Sequence, residues 1–295
     1  MRSVSVILIH WDQPAACVRT IQRFAELDEV GQILVVDNGS TPENQQRLAT
    51  AVGQAHLPIE VDTINVGFNS GFGPAANRGW ERWLADPEGT EWSIIAPHDA
   101  LPADNTIGLM LDAAEANPSA GLLCADVGDG QRPMVDHVFG PILVPATGVA
   151  GFEAADYPHG TLAMASRTCL SRVGLFDERY FSYCEEADLG LRAKKAGFAV
   201  GIVRGAMVEN PTVSTSTPMV EYLMERNTIL LMLEHFGRRK AAMRFAIAIG
   251  QLIAGTFSSQ RRTPYWSAHA RRLAIVDALK GKWGAPSEGI WQEVS

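Results

Sequence analysis

The sequence lacks any feature of a membrane-spanning chain. A bilayer crossing needs ~20 apolar residues, and the apolar stretch 245–257 is too short and is broken by Gly250 and Gln251. The apolar run at the N-terminus is also short, and Asp12 and Pro14 interrupt it. A buried strand is expected there rather than a targeting peptide. Cysteines are few: Cys17, Cys124, Cys169 and Cys184 stand apart with no paired spacing. That excludes a disulfide framework and a Cys-based metal knuckle, and it points to reduced thiols and a cytoplasmic home. Repeats and low-complexity tracts are absent too. What remains is an ordinary globular composition, 46% hydrophobic and 20% charged over 295 residues, enough for a large core.

Acidic residues are missing from one region. The net charge is −8, yet residues 236 to 283 hold ten Lys/Arg against the single Asp277. A basic tail on an acidic body suits an anionic membrane surface or phosphate-bearing lipid. Nucleic acid is not expected, because aromatics are not interleaved with the charge and no binding motif accompanies it.

Along the chain, short apolar runs alternate with helical patterns. Strands are expected over 4–10, 32–36, 59–63 and 92–96, and helices over 14–27, 42–55 and 71–85. This alternation predicts an α/β, Rossmann-like domain with a mostly parallel sheet. In such sheets ligands bind beyond the carboxyl ends of the strands. Segment 126–159 is rich in Gly and Pro and is expected to form loops and an edge hairpin over the cleft. A strand over 161–166 and a helix over 187–197 follow, then a linker over 210–218. The division expected is a domain over 1–215 and a basic helical region over 216–295.

Four segments occur in the order and spacing of a known family. Val35-Val36-Asp37-Asn38-Gly39-Ser40 is followed by Asn65-Val66-Gly67-Phe68 running to Asn77-Arg78-Gly79. Later come Gly174-Leu175-Phe176-Asp177 and Glu185-Glu186-Ala187-Asp188-Leu189-Gly190-Leu191-Arg192. Together they resemble the family 2 inverting glycosyltransferases of GT-A fold, most nearly the rhamnosyl- and galactofuranosyltransferase-like members. The resemblance spans roughly residues 4 to 213.

The resemblance implies roles for particular residues. Asp37 ends the second strand, where a carboxylate can accept the imide N–H of uracil or thymine; the alternative is a turn-forming Asp before Asn-Gly. Asn65 and Gly67, with Gly71 and Gly73, either admit the nucleotide close to the backbone or form a tight strand–helix turn. Trp11, at the end of the first strand, is the tryptophan placed to touch a nucleotide. Asp99 stands where the family carries Asp-x-Asp and would hold Mg²⁺ or Mn²⁺ on the diphosphate. His98 would be a second ligand and would favour Mn²⁺; a capping Asp at a strand end is the alternative. Matched residue by residue, Glu186 is the general base, with Glu185 competing because Glu reaches further than the family's Asp. His159 and Asp188 fall on the acceptor side, although Asp188 is also spaced for a helical ion pair with Arg192. Many relatives carry a His about twenty residues beyond the base; here Glu209 and Asn210 are the oxygen donors available instead.

The activity implied is transfer of a sugar from a UDP- or dTDP-linked donor to an alcohol acceptor with inversion. A catalytically silent nucleotide-sugar-binding protein is the alternative. A sugar-phosphate nucleotidyltransferase is excluded, since His10-Trp11-Asp12-Gln13-Pro14 is no Gly-rich, basic triphosphate loop. The basic tail suggests a lipid-linked acceptor, as in cell-wall or surface polysaccharide assembly. Decoration of a small metabolite suits the catalytic segments equally. The tail itself is expected either to lie peripherally on a membrane or to pack against the catalytic domain or a second subunit, as in a homodimer, with its arginines on the acidic surface.

Overall fold

The computed structural model describes residues 3–210 and 216–294, with side chains as far as 291. The linker expected over 210–218 therefore lies mostly outside the described residues.

The first strand, β1 (Val4–His10), is buried at every position. Val4, Val6 and Leu8 enter one apolar cluster, while Ile7 and Ile9 enter another on the opposite face. A strand buried on both sides needs helices on both sides. They are supplied by α1 (Pro14–Ala25), α2 (Pro42–Gln54) and α3 (Phe72–Leu84), which alternate with β2 (Val30–Asp37), β3 (Val61–Asn65) and β4 (Trp92–Pro97). Pro14 and Pro42 open their helices, where the missing N–H costs nothing.

The chain continues through β5 (Leu101–Pro102), α4 (Thr106–Ala116) and β6 (Ala120–Asp126). A hairpin of β7 (Gln131–Asp136) and β8 (Gly140–Pro145) follows, then β9 (Gly151–Ala154), β10 (Ala163–Ser166) and α5 (Arg167–Val173). The hairpin expected within 126–159 is thus present, as a separate two-stranded sheet. Next come α6 (Glu185–Lys195) and β11 (Ala199–Glu209). The main sheet has nine strands in the order β3-β2-β1-β4-β10-β6-β11-β5, with β9 also on β11. β10 runs antiparallel to both neighbours, whereas β3-β2-β1-β4 and the β6–β11 pair are parallel. Strand order reverses at β1, which lies between β2 and β4. The ends of these three strands therefore frame the crevice where a ligand fits.

The C-terminal region is helical, as expected. It comprises α7 (Thr217–Phe257), interrupted at Gly237 (φ 81°, ψ 172°), then α8 (Ala268–Leu279) and α9 (Glu288–Val294). Among the described residues, no helix is long and apolar enough to cross a membrane. All four cysteines are buried and free. The first half of α7 shares apolar clusters with the segment before α6: Tyr222 and Leu223 pack with Phe181, and Leu230 and Leu231 pack with Tyr180 and Cys184.

Candidate active site

At the end of β2, Asp37 is almost wholly buried. His10, in the paired position on β1, bonds through Nδ1 to Asp37 Oδ2 at 2.8 Å. The Ser40 N–H and Gln45 Nε2 both donate to Oδ1 at 3.0 Å. Burial pushes the carboxyl up, but the bonds from His10 and Ser40 outweigh it and hold the group below the usual carboxylate range. Asp37 is therefore an anion that braces the loop, and its remaining lone pair is the one a base could use. Gly39 adopts φ 81°, and a Cβ there would overlap the Phe68 backbone, so the 65–70 loop can close over it. Asn38 locks that closure: its Oδ1 accepts from the Ser70 N–H at 2.9 Å and its Nδ2 donates to the Gly71 carbonyl at 3.2 Å. Asn65 Oδ1 accepts the Gly67 N–H at 2.8 Å. Trp11 is partly exposed at the same edge. These expected nucleotide residues thus gather at one rim.

His98 and Asp99 follow β4, both buried. The His98 ring meets the His10 ring edge-on, centroids 5.7 Å apart. Burial lowers the His98 pKa, opposed by the Asp99 charge, and leaves a neutral imidazole. His98 Nε2 and His10 Nε2 are buried atoms without a hydrogen-bond partner. Among the described residues no three His, Cys, Asp or Glu side chains converge as a metal cage. Asp99 and the unpartnered His98 Nε2 are the expected donors for a divalent cation here, which would draw on substrate oxygens to complete its shell. Such a donor set suits a cation bound together with a diphosphate. Glu209 is exposed and sits opposite Leu101 in the β11–β5 pairing, two residues past Asp99.

The acid pair opens α6. Three residues just before it, Phe181, Tyr183 and Cys184, hold positive φ of 67°, 67° and 71°, unusual for side chains of this bulk. The helix begins at Glu185, two residues earlier than expected, so both glutamates occupy its first turn, where the helix dipole favours negative charge. Burial overrides that preference. It drives Glu185 well above the usual range, with the Glu186 charge adding to the rise. Glu186 is likewise pushed up by burial, to about 7, although backbone bonding and its bond with Glu185 pull the other way. Glu185 is sealed, and its Oε2 lacks a partner. Glu186 is only half-buried. Its Oε1 occupies the space that a Cβ on Gly160 would need. Of the two carboxyls, Glu186 is the more exposed.

His159 adjoins this pair through Gly160. Its Nδ1 lies 2.9 Å from Thr161 Oγ1, and burial keeps the ring neutral. Asp188, expected on the acceptor side, is also bonded within the fold. Arg192 Nε and Nη2 reach its Oδ2 at 2.8 and 2.7 Å, and His235 Nε2 meets Oδ1 at 2.8 Å. These bonds make Asp188 a strut between α6 and α7.

Sequence reasoning passed over the residues that hold the acid-bearing loop. Asn227 on α7 directs its Nδ2 at three carbonyls, Tyr180, Ser182 and Tyr183, at 2.7 to 2.8 Å. Arg226, fully buried, donates to the Gly284 carbonyl at 2.7 Å and to Tyr222 Oη at 3.1 Å. The available signal was the polar run Glu225-Arg226-Asn227 inside an otherwise apolar helical pattern.

No family model matches the chain. It is 27% identical over 253 residues to the N-acetylglucosaminyl-diphospho-decaprenol L-rhamnosyltransferase of Mycobacterium tuberculosis, in two strains, covering 73% of this chain and 79% of that one. Among solved structures it is similar to a mannosyltransferase of Pyrobaculum calidifontis in complex with GDP-Man and Mn²⁺. There the TM-score is 0.60 at 16% identity, covering 95% of this chain and 87% of that one. It is also similar to GalNAc-T7 with UDP, GalNAc and Mn²⁺, with a TM-score of 0.65 at 12% identity, covering 100% of this chain and 56% of that one. The mostly parallel sheet with its helical C-terminal region is therefore the GT-A architecture expected, and the sequence likeness is to a rhamnosyltransferase of the family-2 kind.

Proposed function

We propose that this chain, a rhamnosyltransferase-like glycosyltransferase of GT-A fold, transfers a sugar from a nucleoside diphosphate donor to an alcohol with inversion, using Glu186 as the base. The observation that carries this is the buried acid pair, with its half-open member set against Gly160 beside the crevice. Glu186 takes the proton of the acceptor hydroxyl as its oxygen forms a bond to the anomeric carbon. The bond from that carbon to the diphosphate breaks on the opposite face, and the nucleoside diphosphate leaves with the electron pair. Glu185 stays protonated next to it and steadies the charge that Glu186 carries before the transfer. Trp11, Asp37, Asn65 and Gly67 hold the nucleoside. Asp99 and His98 would hold Mg²⁺ or Mn²⁺, which when bound neutralises the departing diphosphate. The relative's name supports an L-rhamnosyl donor and a polyprenyl-diphosphate-linked sugar as acceptor.

The test is turnover of UDP- and dTDP-linked sugars, with Mn²⁺ and with EDTA, by the natural chain and by two variants. Glu186→Gln should bind donor normally and lose ~10²–10⁴-fold in kcat. Activity of the natural chain should climb as pH rises through about 7, where Glu186 ionises. The same raised pKa makes the folded protein lose stability as pH rises from the usual glutamate range toward 7, because the native state gives up its proton last. Glu186→Gln should remove that loss. If Glu185→Gln is the crippled variant, the roles are reversed. Donor binding without turnover in any condition would make the chain a nucleotide-sugar-binding protein.

A further inference from the structure

The second half of α7 has two faces. One turns inward: Ala241, Arg244, Ala248 and Gly255 are buried, with Trp266 lying against Gly255 and Ile275 of α8 packing with Ala248. The other turns outward. Met243, Ile249, Ile253 and Phe257 are 39, 40, 54 and 86% exposed. At 100° per residue they fall, with Ala246, on one side of the helix, about 22 Å long at the usual rise. No charged residue interrupts that side between Met243 and Phe257. Arg238 and Arg239 stand exposed at one end of it and Arg261 at the other. Asp277, the single acid among residues 236 to 283, is buried and accepts from Tyr222 Oη at 2.7 Å. The outward surface is therefore apolar along its length and cationic at its ends.

The geometry points to this face as a docking surface for an anionic phospholipid membrane. Phe257, Ile253, Ile249 and Met243 would enter the interface between headgroups and acyl chains, while Arg238, Arg239 and Arg261 meet lipid phosphates. The helix would lie in the interface rather than cross it, consistent with the absence of a span among the described residues. The charge pattern disfavours a second copy as the occupant. Two such faces paired by a two-fold axis set arginines against arginines whichever way the helices run. Arg244 takes no part: its Nη2 pairs with Glu225 Oε1 at 2.7 Å. The inference rests on exposure and charge, and it is independent of which sugar the site transfers. It deepens the lipid-linked acceptor reading by placing the chain at the surface where such an acceptor resides.

The experiment is vesicle flotation of the full chain with phosphatidylcholine alone and with phosphatidylglycerol added, at low and high salt. The chain should float with the anionic vesicles at low salt and be released as salt screens the arginines. Ile253→Asp with Phe257→Asp should abolish flotation, and each exposed arginine changed to Gln should weaken it about five-fold. The apolar-face variant should keep its melting temperature and its turnover of a water-soluble acceptor, which separates loss of docking from loss of the catalytic function. Failure to float with anionic vesicles at low salt would overturn the proposal. A dimer in sedimentation that the same two substitutions dissociate would also overturn it and assign the face to a second copy.

Discussion

The strands around β1 and the C-terminal helices are held together in different proportions by apolar packing and buried charge. Around β1, two clusters of aliphatic side chains fill both faces of the sheet, and the polar groups lie at its carboxyl edge. Between α7 and α8 a buried ionic network is set within apolar packing. Arg271 binds Glu221 at 2.5 Å and Glu225 at 2.8 Å, and Arg244 also binds Glu225, all four side chains no more than 8% exposed. Apolar packing is non-directional and tolerates small changes of shape. A buried ion network holds only one geometry, because each charge depends on its partner for the solvation it has lost. The difference makes sense in view of what α7 carries. Asn227 must meet three carbonyls of the loop before Glu185, so the register of α7 decides where the acid pair sits.

The contrast can be broken most severely at Arg271. Arg271→Met would leave Glu221 and Glu225 buried without it, a loss of about 3–5 kcal/mol in denaturant unfolding, against about 0.5–1.5 kcal/mol for Ile7→Val in the sheet. Adding Glu221→Leu to Arg271→Met should recover part of the loss, which would show that the stranded charge is the cause. A smaller effect is expected at Asn227. Asn227→Ala removes the donor from buried carbonyls, about 1–3 kcal/mol. It should also lower kcat while donor affinity stays constant, because the acids shift and the nucleotide rim does not; a fall in stability alone would make Asn227 purely structural. The smallest effect lies on the sheet side. Thr41 caps α2 by accepting the Asn44 N–H, and Thr41→Ala should cost about 1 kcal/mol with kcat unchanged.

Legibility divides along the same line. The strands and helices of residues 4 to 97 were readable to within a few residues, because proline, glycine and polar turn residues punctuate apolar runs there. β6 and β11 went unread. The stretch Ala120–Asp126 is buried throughout, and a continuous apolar run carries no period. β11 conceals a buried Arg204 that binds Glu153 at 2.5 Å and Asp126 at 3.2 Å, a charge that reads as surface in sequence. The basic tail is likewise only partly legible as charge. Counted as charge it is one patch, yet Arg244 and Arg271 point inward to Glu221 and Glu225, and Arg238, Arg239 and Arg261 are among those left exposed.

The order and spacing of Asp37, Asn65, Asp99 and the Glu185–Glu186 pair were determined by sequence alone, the first three standing at or just past strand ends whose apolar pattern is legible. Sequence likewise limited the region after 236 to a helical, cationic tail whose apolar run is shorter than the ~20 residues a crossing needs. Tertiary structure decided the rest. It tied Asp188 to Arg192 and His235, brought Gly160 against Glu186, set α7 as the clamp on the acid-bearing loop, and left Glu186 more exposed than Glu185. Each of these depends on burial and on partners distant in the chain, and a side chain's charge state follows from what surrounds it.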